Sequence, residues 1–185
     1  MLQSLRNAWR TPELRKKILF TLLIILLYRF GASVPVPYIS SGVMQTFANS
    51  ADGSLFQYMN LLSGDAFSKA TLFALSVSPY ITASIVIQLL TIAIPALERL
   101  SKEGEEGTKK ITAITRYVTV VLALITSFGY YMLMRNSGML TNTGWFPAVV
   151  IIASYCAGAA LVMWLAEKIN ESGIGNGISI ILFAN

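Results

Sequence analysis

The residues that could carry out chemistry are few in this sequence, and they form no catalytic pattern. The 185-residue chain has no histidine, which excludes histidine proton relays, histidine metal sites and serine–histidine catalysis. Its single cysteine, Cys156, lies in an apolar run and is interpreted as a small buried hydrophobic residue. The acidic residues lie in loops or near the ends of the apolar stretches, so no stretch contains a paired carboxylate. The sequence therefore predicts no enzyme, no metal site and no cofactor.

One glycine-rich run could suggest a phosphate-binding loop: Gly173-Ile174-Gly175-Asn176-Gly177. It has neither the lysine nor the preceding strand of a nucleotide site. The run therefore predicts that one helix ends here and another begins.

Composition indicates the class of protein. Hydrophobic residues make up 55% of the chain, charged residues 12%, and the mean hydropathy is +0.62, whereas soluble domains carry about 25% charged residues. We predict an all-α polytopic membrane protein. Its segments are a basic amphipathic lead at 1–17, spans at 18–36, 70–96, 113–134 and 146–166, a cytosolic loop at 97–112, and the start of a fifth span at 177–185. Thr11 is predicted to cap a helix that begins at Pro12.

The segment 55–69 differs from the spans. It contains Gly64, Asp65 and Lys69 and is too short and too polar to cross a bilayer core about 30 Å thick. Such a segment is tolerated at membrane depth only where protein buries it or where it faces a water-filled cavity. We therefore predict a re-entrant piece leading into the second span, which Pro79 is expected to interrupt. This arrangement indicates a pore or cavity.

Apolar side chains could form a constriction in such a pore. Val77 and Ile81 are four residues apart and so share a helix face, and Leu182 is a similar branched residue. A ring of these side chains would resist ions by dewetting. The alternative is ordinary bundle packing. The polar residues Ser76, Ser78, Thr82 and Ser84 are interpreted as helix–helix hydrogen-bonding groups.

The distribution of lysine and arginine predicts the orientation. With the N-terminus inside, 11 of the 14 basic residues lie in cytosolic segments, and the exceptions are Arg29, Lys69 and Arg135. The net charge of +5 then faces anionic lipid and cytosolic partners, and needs no nucleic acid. The charged segment 98–116 is either a solvated loop or a docking surface.

Four stretches together resemble the SecY family, the channel subunits of the bacterial protein translocon. They are KILFTLLIILLYRFGASVPVP, FALSVSPYITASIVIQLLT, SKEGEEGTKKITAITRY and ESGIGNGISIILFA. They occur in the order and spacing of the family and cover every span except the fourth. The resemblance implies the N-terminal half of a ten-helix channel in the bacterial cytoplasmic membrane, with a plug helix and a truncated fifth helix.

The resemblance also implies roles for particular residues. The pore ring would contain Val77, Ile81 and Leu182, where relatives often carry isoleucine, and the lateral gate would contain Thr82, Ile85 and Gln88. The plug would be formed by Leu61, Leu62, Ser63, Gly64, Asp65, Ala66, Phe67, Ser68 and Lys69. Cytosolic docking would involve Arg99, Lys102, Lys109, Lys110 and Arg116.

The implied activity is the outward passage of unfolded polypeptide and the lateral release of hydrophobic helices into lipid. The implied partners are SecE and SecG, SecA or the ribosome, signal sequences and nascent polypeptides. Two other functions are considered. Half of a small-solute transporter would need a polar pocket at a broken helix, and an intramembrane hydrolase would need catalytic groups that the sequence does not contain.

Overall fold

The computed structural model describes residues 11–40, 66 and 68–184, and this part of the chain is helical. Its helices are α1 (Pro12–Gly31), α2 (Ser78–Ala93), α3 (Pro95–Lys102), α4 (Glu105–Asn136), α5 (Trp145–Ser172) and α6 (Gly177–Ala184). The β-type pairing found in these residues consists of two isolated bridges, Pro35 with Thr71 and Ile39 with Leu140.

Helix α1 begins as the sequence predicts and ends earlier than the predicted span 18–36. Thr11 occupies the N-cap position, Pro12 begins the helix, and the helix ends at Gly31. The chain that follows forms turns at 32–33 and 37–38 around the bridge residue Pro35, which disfavours helical conformation at the residue before it. There the Val36 N–H donates to the Ala70 carbonyl at 3.0 Å, so this segment is tied to the chain that precedes α2.

In the described part of the chain, helices α4 and α5 are each long and apolar enough to cross a membrane, and the bent pair α2 and α3 makes a third candidate if it is counted as one broken span. The 32 and 28 residues of α4 and α5 correspond to about 48 and 42 Å of helix. The predicted spans 113–134 and 146–166 lie within them. Since a bilayer core is only about 30 Å thick, both helices extend beyond it.

The region 70–112 requires two corrections. The sequence predicts one span followed by a loop, but residues 70–77 form buried turns before α2 begins. Helix α2 stops at Ala93, and α3 follows at an angle of 101°. The break lies at Ile94, whose extended conformation is the one favoured before a proline. Residues 97–112 are then mostly helical, in α3 and the first turns of α4.

Pro79 does not interrupt α2, because it is the second residue of that helix. A proline in the first turn removes no intrahelical hydrogen bond, whereas one in a helix interior costs about 3 kcal/mol. We therefore expect Pro79→Ala to change stability by less than about 1 kcal/mol. Thermal unfolding of the complete channel in detergent checks this value. A large stabilisation by Pro79→Ala would instead mean that the proline interrupts a longer helix.

The two ends of the bundle have different compositions. We call one the bridge end, where residues 33–40, 70–72 and 138–141 are joined by the bridges and by backbone hydrogen bonds. At the other end the Ile174 N–H donates to Thr21 Oγ1 at 3.2 Å, so the first turns of α1 meet the α5–α6 connection. We call this the basic end, because it carries Arg15, Lys16, Lys17, Lys109 and Lys110.

Each end has its own hydrophobic cluster. At the bridge end, Tyr130 and Tyr155 meet edge to face with ring centroids 5.0 Å apart, beside buried Met134 and Met139. Toward the basic end, α1, α5, α6 and the residues before α2 form a second cluster. There Tyr28 stacks on Phe73 at 5.3 Å. The chain before α2 thus contributes to both clusters, with Phe73 and Val77 in one and Ala74 and Leu75 in the other.

The predicted helix break after α5 is confirmed. Helix α5 ends at Ser172 and α6 begins at Gly177. The Gly177 N–H donates to Asn170 Oδ1 at 2.7 Å, and a side chain at position 177 would overlap the backbone of Ala166. Glycine therefore allows α6 to turn back closely against α5.

Candidate functional site

Two of the three predicted pore-ring residues lie together. Val77 is 1% exposed in the basic-end cluster, and half-buried Ile81 packs against the same cluster. Leu182 is 38% exposed and lies outside it, and its neighbour Ile181 is fully buried there instead. Successive residues of a helix differ in direction by about 100°, so only one of the pair 181 and 182 can face this cluster. In this structure Val77 is a packing residue.

The predicted gate residues lie on α2, where Thr82, Ile85 and Gln88 are exposed. Their polar groups bond within the helix: Thr82 Oγ1 donates to the Ser78 carbonyl at 3.0 Å, and Gln88 Nε2 donates to Ser84 Oγ at 3.3 Å. The interpretation of Thr82 and Ser84 as links between helices is therefore wrong for these bonds. The surface of helix α2 therefore combines apolar side chains with polar side chains that hydrogen-bond within the helix.

Most of the predicted plug lies outside the described residues: Leu61, Leu62, Ser63, Gly64, Asp65 and Phe67. In the remainder, Ala66 and Ser68 are buried and Lys69 is exposed. These residues form turns, and the Ala66 carbonyl accepts hydrogen bonds from the Thr71 N–H and hydroxyl at 3.0 and 3.2 Å. The last residues of the segment are thus attached to the bundle interior.

All five predicted docking residues are exposed: Arg99, Lys102, Lys109, Lys110 and Arg116. Arg116 differs from the other four because its Nε donates to Glu167 Oε1 at 2.8 Å and links α4 to α5. The Glu167 side chain is only 9% exposed and that of Arg116 is 47% exposed. Arg116 is therefore bound to the bundle as well as facing solvent.

A cavity that the sequence does not predict surrounds this ion pair. We call it the polar cavity; it measures about 400 Å³ and is lined by Tyr80, Thr108, Lys109, Thr112, Arg116, Glu167, Asn170 and Glu171. A smaller cavity of about 170 Å³ shares Tyr80 and Thr112 and continues along α2 and α4. The sequence shows that Arg116 and Glu167 are each the first charged residue beyond a long uncharged run. Their pairing and the contribution of Tyr80 are visible only in the tertiary structure.

The polar cavity holds groups of both signs. Lys109 and Arg116 are cationic, whereas Glu167 and Glu171 are anionic, and Lys168 Nζ lies 2.6 Å from Glu171 Oε2. Such a site can bind a polar group that offers both donors and acceptors.

Comparison with known proteins gives consistent results. The SecY family model matches residues 71–185. The protein translocase subunit SecY of Streptomyces coelicolor is 44% identical over 99% of this chain, and that of Thermus thermophilus is 42% identical over all of it. The chain spans 45% and 43% of the length of these two relatives, so it corresponds to somewhat less than half of each.

Solved structures confirm the predicted fold. The chain is similar to Sec61 in the canine ribosome–channel complex from the endoplasmic reticulum, with a TM-score of 0.63 and 19% identity over 92% of this chain and 36% of that one. It is also similar to a protein-conducting channel (TM-score 0.63, 18% identity), and to a SecY whose plug domain stabilises the closed state (TM-score 0.61, 18% identity). These likenesses establish the all-α fold. The family-model match and the relatives of 42–44% identity show that this chain belongs to the SecY family.

Proposed function

We propose that this chain forms the N-terminal half of a protein-conducting channel in the bacterial cytoplasmic membrane. The complete channel would pass unfolded secretory polypeptides outward and release hydrophobic segments sideways into lipid. The observation that carries the proposal is the match to bacterial protein translocase subunits over 99% of the chain. The channel would change no covalent bond, and the energy would come from a motor or from translation.

The distribution of charge supports an orientation with the N-terminus in the cytosol. The basic end combines the first turns of α1 and α4 with α3, and basic residues favour the cytosolic side. The exposed residues Arg99, Lys102, Lys109 and Lys110 would then face SecA or the ribosome. SecE and SecG would be the companion subunits within the membrane. Arg116 would contribute charge to this surface while it holds α4 against α5.

The roles proposed for the gate and plug follow from the same family membership. Thr82, Ile85 and Gln88 would line the lateral gate, where signal sequences and nascent polypeptides meet lipid, and their exposure leaves that face of α2 available to the other half of the channel. Residues 61–69 would form the plug. The burial of Ala66 and Ser68 would attach the C-terminal end of the plug to the bundle interior.

Val77, Ile81 and Leu182 are proposed as this half's part of the pore ring. Because Val77 is buried against α5 and α6, this role requires α2 to shift when a polypeptide enters. We therefore expect photocrosslinkers at Val77 and Ile81 of the complete channel to capture a polypeptide arrested in transit. The adduct at Val77 should be much weaker in the resting channel.

A crosslinker at Leu26 of α1, where the side chain is 71% exposed, serves as the matched control and should capture lipid or a companion subunit. The proposal fails if the arrested polypeptide is captured at Leu26 as often as at Val77 and Ile81, or at none of the three.

The transporter alternative receives one observation in its favour. A transporter of this kind requires a polar pocket at a helix break, and the sequence indicates no charged pocket there. In the structure, however, the polar cavity includes Asn170 and Glu171, close to the α5–α6 break. The relatives of the chain, however, are named as translocase subunits, which favours polypeptide over a small solute. Saturable uptake of a small solute by the reconstituted complete channel would restore the alternative.

A further inference from the structure

We propose that the polar cavity binds the head group of a zwitterionic phospholipid with a primary ammonium, as in phosphatidylethanolamine. The inference rests on the membrane placement of α4 and α5. It does not depend on which polypeptides the channel moves.

The cavity lies at the depth of lipid head groups. In α4 the residues from Tyr117 to Met134 carry no charge, and in α5 those from Trp145 to Ala166 carry none. These runs correspond to about 27 and 33 Å of helix, close to the thickness of the bilayer core. Arg116 and Glu167 are the first charged residues beyond them at the basic end, and they lie in the cavity wall. The cavity therefore opens where hydrocarbon gives way to head groups.

The charges in the cavity favour a ligand that also carries both signs. Lys109 and Arg116 can donate to a phosphate. The Glu167 oxygen not used by Arg116 and the Glu171 oxygen not used by Lys168 can accept from an ammonium. The lining side chains carry two positive and two negative charges, so a ligand of one sign can pair with only half of them. A head group that joins phosphate to ammonium satisfies both pairs at once.

The size and surroundings also favour a lipid. About 400 Å³ is at the lower end of the volumes of small-molecule sites, as expected for a head group alone. An exposed apolar stripe begins on α4 one residue after Arg116 and continues at helical spacing; its members are Tyr117, Val121, Leu124 and Phe128. Acyl chains could follow this stripe along the membrane. A soluble zwitterion would gain nothing from it.

The test is lipid binding to the purified, delipidated complete channel by native mass spectrometry, with dioleoyl phosphatidylethanolamine, phosphatidylcholine and phosphatidylglycerol as probes. We expect phosphatidylethanolamine to bind about tenfold more tightly than the other two, since a charge-assisted hydrogen bond contributes about 1.5 kcal/mol or more. Phosphatidylcholine lacks ammonium hydrogens, and phosphatidylglycerol lacks the cation. Equal binding of the three lipids would refute the proposal.

Variants assign the preference to the cavity. Glu171→Gln should reduce phosphatidylethanolamine binding to the level of phosphatidylcholine, and Lys109→Gln should weaken both. Lys110→Gln is the matched control, because Lys110 is exposed next to Lys109 but does not line the cavity. If Lys110→Gln acts as strongly as Lys109→Gln, the effect is general surface charge and the proposal is wrong.

Two further results would overturn the proposal that the polar cavity binds a phosphatidylethanolamine head group. Soluble glycerophosphoethanolamine that binds as tightly as the lipid would show that the acyl chains contribute nothing. A photocrosslinker at Thr112 that captures a translocating polypeptide in place of lipid would assign the cavity to the substrate. Lipid binding is measured without a polypeptide, so a failure of the proposed translocation would leave this result unaffected.

Discussion

Replacing Gly158 with alanine should lower the stability of the complete channel by about 2–3 kcal/mol, the usual cost of overpacking a tight interior. Gly158 lies within α5, and a methyl group there would overlap the backbone carbonyl of Leu72. Leu72 belongs to the buried turns before α2 and is held by a hydrogen bond from its N–H to the Val34 carbonyl at 2.9 Å. Neither backbone can move aside without disturbing this attachment.

Gly129 provides a matched control for Gly158. It is also a helical glycine, in α4, but a methyl group there would meet nothing within 4 Å. Gly129→Ala should therefore be neutral or stabilising by up to about 1 kcal/mol, because alanine favours the helix. Thermal unfolding of both variants in detergent makes the comparison. Equal stability of the two variants would mean that α5 does not pack against Leu72 as closely as described.

The second large effect is expected when the ion pair between α4 and α5 is broken. Arg116→Gln leaves the carboxylate of Glu167, which is 9% exposed, without its partner. Removing one partner of a buried pair costs about 3–5 kcal/mol. Since the Arg116 side chain is 47% exposed, we expect a smaller loss of about 2–3 kcal/mol, measured as a lower midpoint of thermal unfolding.

The double variant distinguishes the loss of attraction between Arg116 and Glu167 from the cost of leaving the Glu167 carboxylate buried and unpaired. Arg116→Gln combined with Glu167→Gln contains no buried carboxylate at this position, so it should be more stable than Arg116→Gln alone. Arg135→Gln, at an exposed position in the last turn of the same helix, should change stability by less than about 0.5 kcal/mol. If the two single effects simply add in the double variant, Arg116 and Glu167 do not act as a pair.

The class of the protein and many helix boundaries follow from local properties of the sequence. An apolar run of about 20 residues can satisfy its backbone in lipid only as a helix, so α4 and α5 were predictable from composition. The start of α1 at Pro12 and the break between α5 and α6 follow from proline and glycine, which act through the local backbone. The SecY resemblance is likewise a property of four local stretches of sequence and needs no knowledge of how they pack.

Other properties depend on contacts between residues that are distant in sequence, so local patterns do not predict them. Two examples are the bend of 101° between α2 and α3 and the buried turns at 70–77. Hydrophobic periodicity did not predict either, because it cannot show how an apolar run packs inside a bundle. Val77 and Leu182 look alike in the sequence, yet one is buried and the other is exposed.

The polar cavity is the clearest example of a feature that local sequence patterns do not predict. Tyr80, Arg116 and Glu167 are brought together from α2, α4 and α5 only when the three helices pack. The sequence determined that Arg116 and Glu167 carry charge at the ends of apolar runs. Packing decided that they neutralise each other 2.8 Å apart, because a carboxylate buried among helices is stable only with a partner.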